Sequence, residues 1–269
     1  MLNYLRRRFS FADRKTDDPT PHGLNPVSIV TVTRDGLFFS RLLVERVRAL
    51  AGDRRYEIIV VDRGSTDGTV AWMKRQPDVR LVRYPQWRTR GHGHAEAAEK
   101  GIRLARFERI VLMDSDAHPV AEDWLAHSVD ALDDNVRLCG ARFVDRHLGN
   151  PHGWYVHPHF MGFFKSDFGR LIVLGKLQGE RTDTGEEATI RVIAAGHEVR
   201  SFPIEFCAAL SVGHPRVPTV SGGVFHAWYV SRLEHEEAAV IRETSGQVSR
   251  ESYLTPLQAQ LRRAYGLAF

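Results

Sequence analysis

The sequence predicts an α/β protein with a mainly parallel central sheet flanked by helices. Between residues 27 and 120, short β-branched apolar runs alternate with stretches that have helical spacing. Polar and acidic residues also follow directly after three of these apolar runs. Because parallel strands are joined by crossover helices, and ligands bind beyond the carboxyl ends of such strands, both observations favour a ligand-binding α/β domain.

The composition agrees with a folded domain and limits its partners. The chain has 269 residues, 43% of them hydrophobic and 26% charged, which suits one large domain or two closely packed halves. The formal charge of +4 is too small and too dispersed to indicate nucleic acid. Cys139 and Cys207 lack metal-ligand or disulfide spacing, so we expect a reduced, cytoplasmic setting. No apolar run reaches the roughly 20 residues of a membrane-spanning helix.

Residues 1–25 are predicted to be a basic tail and linker. The opening "MLNYLRRRFSFADRK" sets apolar residues beside a cluster of arginines, and residues 13–26 are polar and rich in proline. A solvated tail and a short amphipathic helix that touches a membrane both fit this pattern. The expected location is therefore the cytoplasm, with peripheral contact at the inner face of the membrane as the alternative.

The predicted elements follow in chain order. Four strands, "VSIVTVT", "YEIIVVD", "VRLVRY" and "RIVLMD", are separated by the helical stretches "LFFSRLLVERVRALAG", "RGSTDGTVAWMKRQ" after its turn, and "GHGHAEAAEKGIRLARF" after its glycines. Beyond residue 120 the alternation weakens. We expect helices in "AEDWLAHSVDALDD" and "TGEEATIRVIAAG", and strands in "VRLCGARFVD" and "HEVRSFP". The charged tail from Leu233 is expected to be helical and to add little to the core.

Two aspartates end the fourth apolar run. Asp114 and Asp116 follow a buried strand directly, and paired carboxylates there are costly unless a cation lies close. An Asp-x-Asp pair offers the oxygen ligands that Mg²⁺ and Mn²⁺ prefer, while a helix cap beside a surface acid is the alternative. A phosphatase with an aspartyl nucleophile is disfavoured, because a threonine normally follows its pair and Ala117 follows here.

The stretch "VVDRGSTDGT" carries the second candidate. Asp62 stands at a strand end, where it can accept hydrogen bonds from N–H groups of a ligand. Gly64 and Gly68 allow a tight turn, and Asp67 or Thr69 can cap the next helix. A well-built turn explains the glycines but does not require Asp62.

Four motifs in this order resemble the inverting glycosyltransferases of family 2, which have the glycosyltransferase-A fold. They are "VSIVTVTRD", "EIIVVDRGSTDGT", "GHAEAAEKGI" and "RIVLMDSDAHP". The resemblance is close over residues 27–120 and looser over 120–232. It implies a nucleotide-sugar-binding half at 26–120, an acceptor-binding half at 121–232 and a C-terminal helical tail at 233–269.

The resemblance implies a nucleoside-diphosphate sugar as donor. Asp62 would bind the base, Asp114 would lie near the ribose, and Asp116 would ligate the metal that bridges the diphosphate. Arg90 and Arg232 could hold phosphate oxygens, although both also fit a solvent-facing position. The implied donor-binding set is Thr33, Arg34, Asp35, Asp62, Arg90, Asp114, Ser115 and Arg232.

Further residues are candidates for metal ligation and for the catalytic general base. His226 would be a third metal ligand beside Asp116, with a hydrogen-bonded core histidine as the alternative. The family uses an Asp or Glu to deprotonate the acceptor hydroxyl, and "DTGEEATIRVIAAG" supplies the candidates. These are Asp183, Glu186 and Glu187, of which Asp183 is favoured because it precedes the turn.

Histidine pairs and aromatic residues leave other interpretations open. The pairs His92/His94 and His157/His159 raise the question of zinc, which the absence of a third nearby ligand disfavours. The aromatic residues of 154–163 suit either an acceptor pocket or the core. They are Trp154, Tyr155, Phe160 and Phe163.

The expected activity is metal-dependent, inverting transfer of a sugar to the hydroxyl of a saccharide or glycolipid-type acceptor, with Mg²⁺ or Mn²⁺ as cofactor. Uridine is the expected nucleoside of the donor, from the habit of the family alone. A sugar nucleotidyltransferase is one alternative, but "TRDGLFFSRL" lacks the glycine-rich basic loop that it needs. The other is a non-catalytic, sugar-nucleotide-binding protein on the same fold, because Arg63 and Glu99 stand where the family often has asparagine. The pattern does not indicate an oligomeric state.

Overall fold

The computed structural model describes residues 24–85, 93–144, 150–174, 184–207, 210, 218–228, 230, 241–243 and 246–269. Its helices are α1 (Leu37–Leu50), α2 (Thr69–Met73), α3 (Gly93–Leu104), α4 (Trp124–Ser128), α5 (Glu186–Ala194) and α6 (Thr255–Tyr265). Its strands are β1 (Val27–Thr33), β2 (Tyr56–Asp62), β3 (Val79–Arg83), β4 (Arg109–Met113), β5 (Ala117–Pro119), β6 (Val136–Phe143), β7 (Tyr155–Phe164), β8 (Glu198–Pro203), β9 (Glu205–Phe206), β10 (Thr219–Ser221), β11 (Val224–His226), β12 (Ile241–Glu243) and β13 (Gly246–Val248).

A seven-stranded sheet in the order β3-β2-β1-β4-β7-β6-β8 forms the centre. Strand β1 is parallel to both β2 and β4, β2 is parallel to β3, and β6 is parallel to β8. Strand β7 is antiparallel to both of its neighbours. The sheet is thus mainly parallel, and the predicted α/β class is confirmed. The carboxyl ends of β1, β2 and β4 meet at one edge.

Helices cover both faces of this sheet because alternate strand residues are apolar on each side. Ile29 of β1 packs in the cluster that contains Leu43 and Val47 of α1. Val30, the next residue, packs in the cluster of α3. Helix α3 approaches closely because a Cβ on Gly101 would lie 2.5 Å from Cγ1 of Val30. The predicted helices after the first and third strands are therefore in place.

A second, antiparallel sheet in the order β5-β11-β10-β9 connects distant parts of the chain. Gly222 and Gly223 join β10 to β11, and their φ values of 52° and 78° match the two left-handed positions of a type I′ turn. The pairing of β5 with β11 sets His226 opposite Ala117. This register carries residue 226 to the end of the Asp-x-Asp turn.

Two expectations for the second half of the chain need correction. Helix α4 covers only Trp124–Ser128 of the longer stretch that was predicted to be helical. The tail is not simply helical, because β12 and β13 precede a π-helical turn and α6. It also contributes to the core, since Tyr253, Leu257 and Leu261 are at most 1% exposed. These three residues recur every fourth position and form one apolar stripe, which the surrounding charges obscure in the sequence.

Strand β7 occupies the aromatic stretch that had no assigned element. Its neighbours β4 and β6 cover both of its edges, and most of its residues are buried. A strand buried on both faces reads as a continuous apolar run without alternation. That is why its period is not visible in "YVHPHFMGFF".

Candidate metal and nucleotide site

The Asp-x-Asp turn is fixed by backbone hydrogen bonds from three directions. The N–H of Ala117 donates to the carbonyl of Asp114 across the turn (3.0 Å), and the N–H of Asp114 donates to the carbonyl of His159 in β7 (3.3 Å). The N–H of Ala227 donates to the carbonyl of Asp116 (3.1 Å). Ser115 lies at the tip of this turn. The two carboxylates are thus held on a rigid loop between β4 and β5.

Three of the predicted residues converge here. Nε2 of His226 lies 3.3 Å from Oδ1 of Asp116 and 3.8 Å from Oδ2 of Asp114. One ligand atom from each of the three side chains lies within 4.8 Å of the others. Two carboxylates with one imidazole form a donor set that suits a divalent cation such as Mn²⁺ or Mg²⁺, with room left for substrate oxygens. His94, at the start of α3, places its Nε2 3.5 Å from Oδ1 of Asp114.

The charge on Asp116 is maintained by its surroundings. Burial alone raises the pKa of this carboxyl, but its electrostatic interaction and hydrogen bond with His226, followed by backbone hydrogen bonds, lower it by more. The resulting pKa lies below the ordinary value for an aspartate. Asp116 is therefore a carboxylate at neutral pH, the form in which it can ligate a metal.

The imidazole of His226 packs against two rings on adjacent sides. His159 stacks on one side, with ring centroids 4.3 Å apart and planes at 15°, and Trp228 lies 4.3 Å away at 42°. The indole N–H of Trp228 donates to Oγ1 of Thr219 (2.7 Å), which fixes that ring. Trp228 has a φ of 61°, in the left-handed region that a tryptophan rarely adopts. These contacts fix the orientation of the third candidate ligand.

The second histidine pair does not form a separate metal site among the described residues. Groups of three or more potential metal ligands are limited there to Asp114, Asp116 and His226. Nδ1 of His157 lies 2.8 Å from Nδ1 of His159, so the two imidazoles hydrogen-bond to each other. Burial and the adjacent histidines lower the pKa of His159 well below its usual value, which keeps that ring neutral.

Asp62 is fully buried at the end of β2. Its carboxylate accepts hydrogen bonds from the backbone N–H of Gly64 (2.9 Å) and of Ser65 (3.1 Å). Nε of Arg83, which is opposite Asp62 in the register with β3, lies 3.0 Å from Oδ2. All of these donors belong to the protein, so the carboxylate fixes the turn after β2 in this structure.

The residues after β1 connect that strand to its neighbours. The hydroxyl of Thr33 is buried and lies 2.8 Å from the hydroxyl of Ser40 in α1. Asp35 adopts a φ of 48°, and its Oδ1 accepts from the N–H of Thr66 (2.5 Å). Arg34 is more exposed, with its Nε 3.7 Å from Oδ2 of Asp35. Of the predicted nucleoside pocket, Arg34 therefore offers the most accessible side chain.

Arg63 lies between the end of β1 and the start of α3. Its Nε is buried and has no hydrogen-bond partner within the described part of the chain. Burial, and next the positive charge of Arg34, lower the pKa of the guanidinium, while Glu96 opposes them. An arginine in such a place has donor capacity available for a ligand.

The described candidates for the catalytic general base lie at the start of α5. Glu186 is fully buried, and Glu187 forms a 2.5 Å ion pair with Arg191 one turn further along the helix. Gly185, with a φ of 106°, lies so close to β7 that an added Cβ would be 2.5 Å from the carbonyl oxygen of Val156. The start of α5 is thereby held against β7, the strand that also carries His157 and His159.

Several predicted residues lie outside the described residues, and others are in the core. Outside are Asp183, Arg90, Arg232 and His92. The interpretation of Tyr155, Phe160 and Phe163 as an acceptor-pocket lining is wrong, because each is at most 1% exposed. Trp154 is half-buried, and the guanidinium of Arg142 lies 4.6 Å from its ring centroid.

Two residues that shape the site escaped the sequence analysis. Trp228 packs against His226, and Arg83 pairs with Asp62. Neither has a local sequence pattern that marks it. The Arg83 contact depends on the register of β2 with β3, and the Trp228 ring is held in place by its hydrogen bond to Thr219.

The comparisons with known proteins point to one family. The family model described as "Glycosyl transferase family 2" matches residues 28–194. A mannosyltransferase from Pyrobaculum calidifontis, in complex with GDP-Man and Mn²⁺, superposes with a TM-score of 0.54 at 21% identity, over 75% of this chain and 61% of that one. The TarS 1–349 structure from S. aureus gives a TM-score of 0.46 at 13% identity, over 65% of this chain and 57% of the other. This chain therefore spans about three fifths of each. No curated protein sequence matches.

Across the described ranges, every helix is too short or too polar to cross a bilayer.

Proposed function

The chain belongs to glycosyl transferase family 2, and on that premise we propose that it transfers a sugar, with inversion and with a divalent cation, from a nucleoside-diphosphate donor to an acceptor hydroxyl. The family, the glycosyltransferase class and the glycosyltransferase-A fold agree with the expectations from sequence. The convergence of Asp114, Asp116 and His226 at the end of β4 carries the proposal beyond the family.

The proposed metal site is formed by these three side chains. The carboxylate of Asp116 and the imidazole of His226 lie closest together (3.3 Å), and Oδ2 of Asp114 is 3.8 Å from the same imidazole nitrogen. A bound Mn²⁺ or Mg²⁺ would supply positive charge to the departing diphosphate. His159 and Trp228 pack against His226, so the His226 imidazole needs little reorganisation when the metal binds.

The proposed general base is Asp183. Glu186 is enclosed and Glu187 is held by Arg191, so neither carboxylate is well placed to meet an acceptor hydroxyl. Asp183 directly precedes the turn that seats α5 against β7. In single-displacement transfer, such a carboxylate would take the acceptor proton as the new glycosidic bond forms and the bond to the diphosphate breaks.

The classes of donor and acceptor are also proposals. The Pyrobaculum mannosyltransferase is described with GDP-Man and Mn²⁺, which agrees with a nucleotide sugar and a divalent cation for this chain. A saccharide or glycolipid-type acceptor and peripheral membrane contact by residues 1–25 remain predictions. Uridine as the donor nucleoside is also a prediction from sequence, whereas the side chains around Asp62 favour a base other than uracil.

Titration of nucleoside diphosphates, with and without Mn²⁺ or Mg²⁺, tests the proposal. The wild-type protein should bind at least one of them in a metal-dependent manner, and Asp116→Ala should lose that dependence. Asp53→Ala, at an exposed position, is the matched control and should bind as the wild type does. Absence of binding to every nucleotide, or unchanged metal dependence in Asp116→Ala, would contradict the proposal. Tight binding without any nucleotide release from sugar donors would favour the non-catalytic alternative.

A further inference from the structure

Arg63 has donor capacity at the nucleotide-binding edge that the fold does not use. Its backbone N–H donates to the carbonyl of Thr33 (2.9 Å), which fixes the residue at the end of β2. Its Nε is buried and finds no hydrogen-bond partner among the residues that the structure describes, while the residue as a whole is only partly buried. A buried donor without a partner costs free energy, so a group that accepts a hydrogen bond there would be stabilising.

The acceptor expected for the base is already occupied. Asp62 is fully buried, accepts from two backbone N–H groups and forms an ion pair with Arg83. A carboxylate has about four acceptor positions, and three donors of the protein already face those of Asp62. The edge therefore offers a base hydrogen-bond donors from Arg63 rather than an acceptor from Asp62.

The position of Arg63 relative to the metal site indicates which part of the donor it meets. This inference depends on the proposed function, in which the diphosphate lies at Asp114, Asp116 and His226 beyond β4. Strand β1 separates β4 from β2. With adjacent strands about 4.8 Å apart, the ends of β4 and β2 are roughly 10 Å from each other. A nucleoside whose phosphates lie at β4 spans that distance, so its base would lie at the end of β2.

We propose that Arg63 reads the base of the donor and selects one whose edge presents two adjacent acceptors. A guanidinium donates through a planar fork, which matches O6 and N7 of guanine or O2 and N3 of cytosine. Uracil places an N–H between its two carbonyl oxygens, and adenine places an amino group beside N7. Both would set a donor against the guanidinium and would leave that donor without Asp62 as an acceptor.

The test measures the affinity of four nucleotides, GDP, CDP, UDP and ADP, each in the presence of Mn²⁺. Calorimetry on the wild type should show GDP or CDP bound about tenfold or more tightly than UDP and ADP. The difference between GDP and CDP identifies which of the two bases is the source of the acceptor pair.

Variants of Arg63 distinguish hydrogen bonding to the nucleotide base from charge attraction to the nucleotide as a whole. Arg63→Lys keeps the charge but loses the fork, and Arg63→Asn introduces the residue common in the family. Both should reduce affinity for the preferred nucleotide about tenfold and change that for UDP and ADP less than about twofold. Arg75→Lys, at an exposed position after α2, is the matched control and should change nothing. Thermal unfolding of each variant reports whether the fold is kept.

Two results would overturn the inference about Arg63. One is UDP or ADP binding as tightly as GDP and CDP in the wild type. The other is an equal loss for all four nucleotides in Arg63→Lys. In both cases metal-dependent nucleotide binding persists and the proposed function stands, whereas failure of all four to bind would refute the proposed function itself.

Discussion

Replacement of Asp62 by asparagine tests whether this carboxylate supports the turn after β2. Asparagine has the same shape but exchanges one acceptor oxygen for an amide that donates. In the wild type, Oδ2 accepts from Gly64 N (2.9 Å) and lies 3.0 Å from Nε of Arg83, and Oδ1 accepts from Ser65 N (3.1 Å). We expect Asp62→Asn to destabilise the folded protein.

The expected loss of stability follows from the number of hydrogen bonds to residue 62 that asparagine can keep. The best orientation of the asparagine keeps its oxygen toward Gly64 and Arg83 and turns the amide toward the N–H of Ser65. The shorter contact from the N–H of Ser65 (3.1 Å) is then lost, its longer one to Oδ2 (3.3 Å) is kept, and the amide sets a donor against a donor, which costs about 1–3 kcal/mol. Arg83 is half exposed, so the lost charge adds little after solvent screening. The expected total is about 2 kcal/mol, or a Tm lower by about 4–8 °C.

Urea denaturation of Asp62→Asn, compared with Asp53→Asn, measures this change. Residue 53 is exposed, so its variant should keep wild-type stability within about 0.5 kcal/mol. The reasoning is refuted if Asp62→Asn is as stable as Asp53→Asn. Loss of nucleotide binding in such a stable variant would show that Asp62 contacts the ligand directly.

Four further predictions address metal ligation by His226, the packing at Gly140, and the ionisation of Glu57 and Cys139. His226→Ala should weaken Mn²⁺ binding at least about tenfold in calorimetry, while the exposed His152→Ala should not change it. Gly140→Ala should cost about 3 kcal/mol or more in thermal unfolding, because φ is +148° and the added Cβ would lie 2.1 Å from a β7 carbonyl oxygen. Burial raises the pKa of Glu57, but hydrogen bonds from a serine and an arginine lower it by more, so its folded pKa lies below the ordinary value. Its contribution is therefore lost as pH falls below about 4.5, and Glu57→Gln should show a flatter decline in stability there. Burial raises the pKa of the Cys139 thiol to about 12, so it should not react with a thiol reagent at about pH 8 until the protein unfolds.

The sequence predicts the first half of the fold, residues 26–120, well because its determinants are local. The strands that became β1, β2 and β4 are β-branched runs that end in polar residues, and the helices between them have clear apolar spacing. Parallel strands with short connections then bring the ends of β1, β2 and β4 to one edge. This places the region of residues 33–35, Asp62 and Asp114 at that edge without any knowledge of distances.

The parts of the site and the fold that the sequence does not predict depend on contacts between distant segments. His226 meets Asp116 only because β5 pairs with β11, more than a hundred residues later in the chain. Asp62 is closed off by Arg83 through the register of β2 with β3. Neither register has a signature in the residues that form it. The apolar stripe of α6 was likewise hidden, because charged residues surround it and its partners lie in α1 and β11.

Metal-dependent release of free nucleotide from a panel of nucleotide sugars tests the central claim most directly, since donor hydrolysis requires no knowledge of the acceptor. The wild-type protein should release nucleotide from at least one donor with Mn²⁺ or Mg²⁺, and a chelator should stop the release. Asp116→Ala should reduce it by at least about 100-fold, and Asp53→Ala should not. Turnover that survives the chelator, or that Asp116→Ala leaves intact, would contradict the assignment of Asp114, Asp116 and His226 as the metal site.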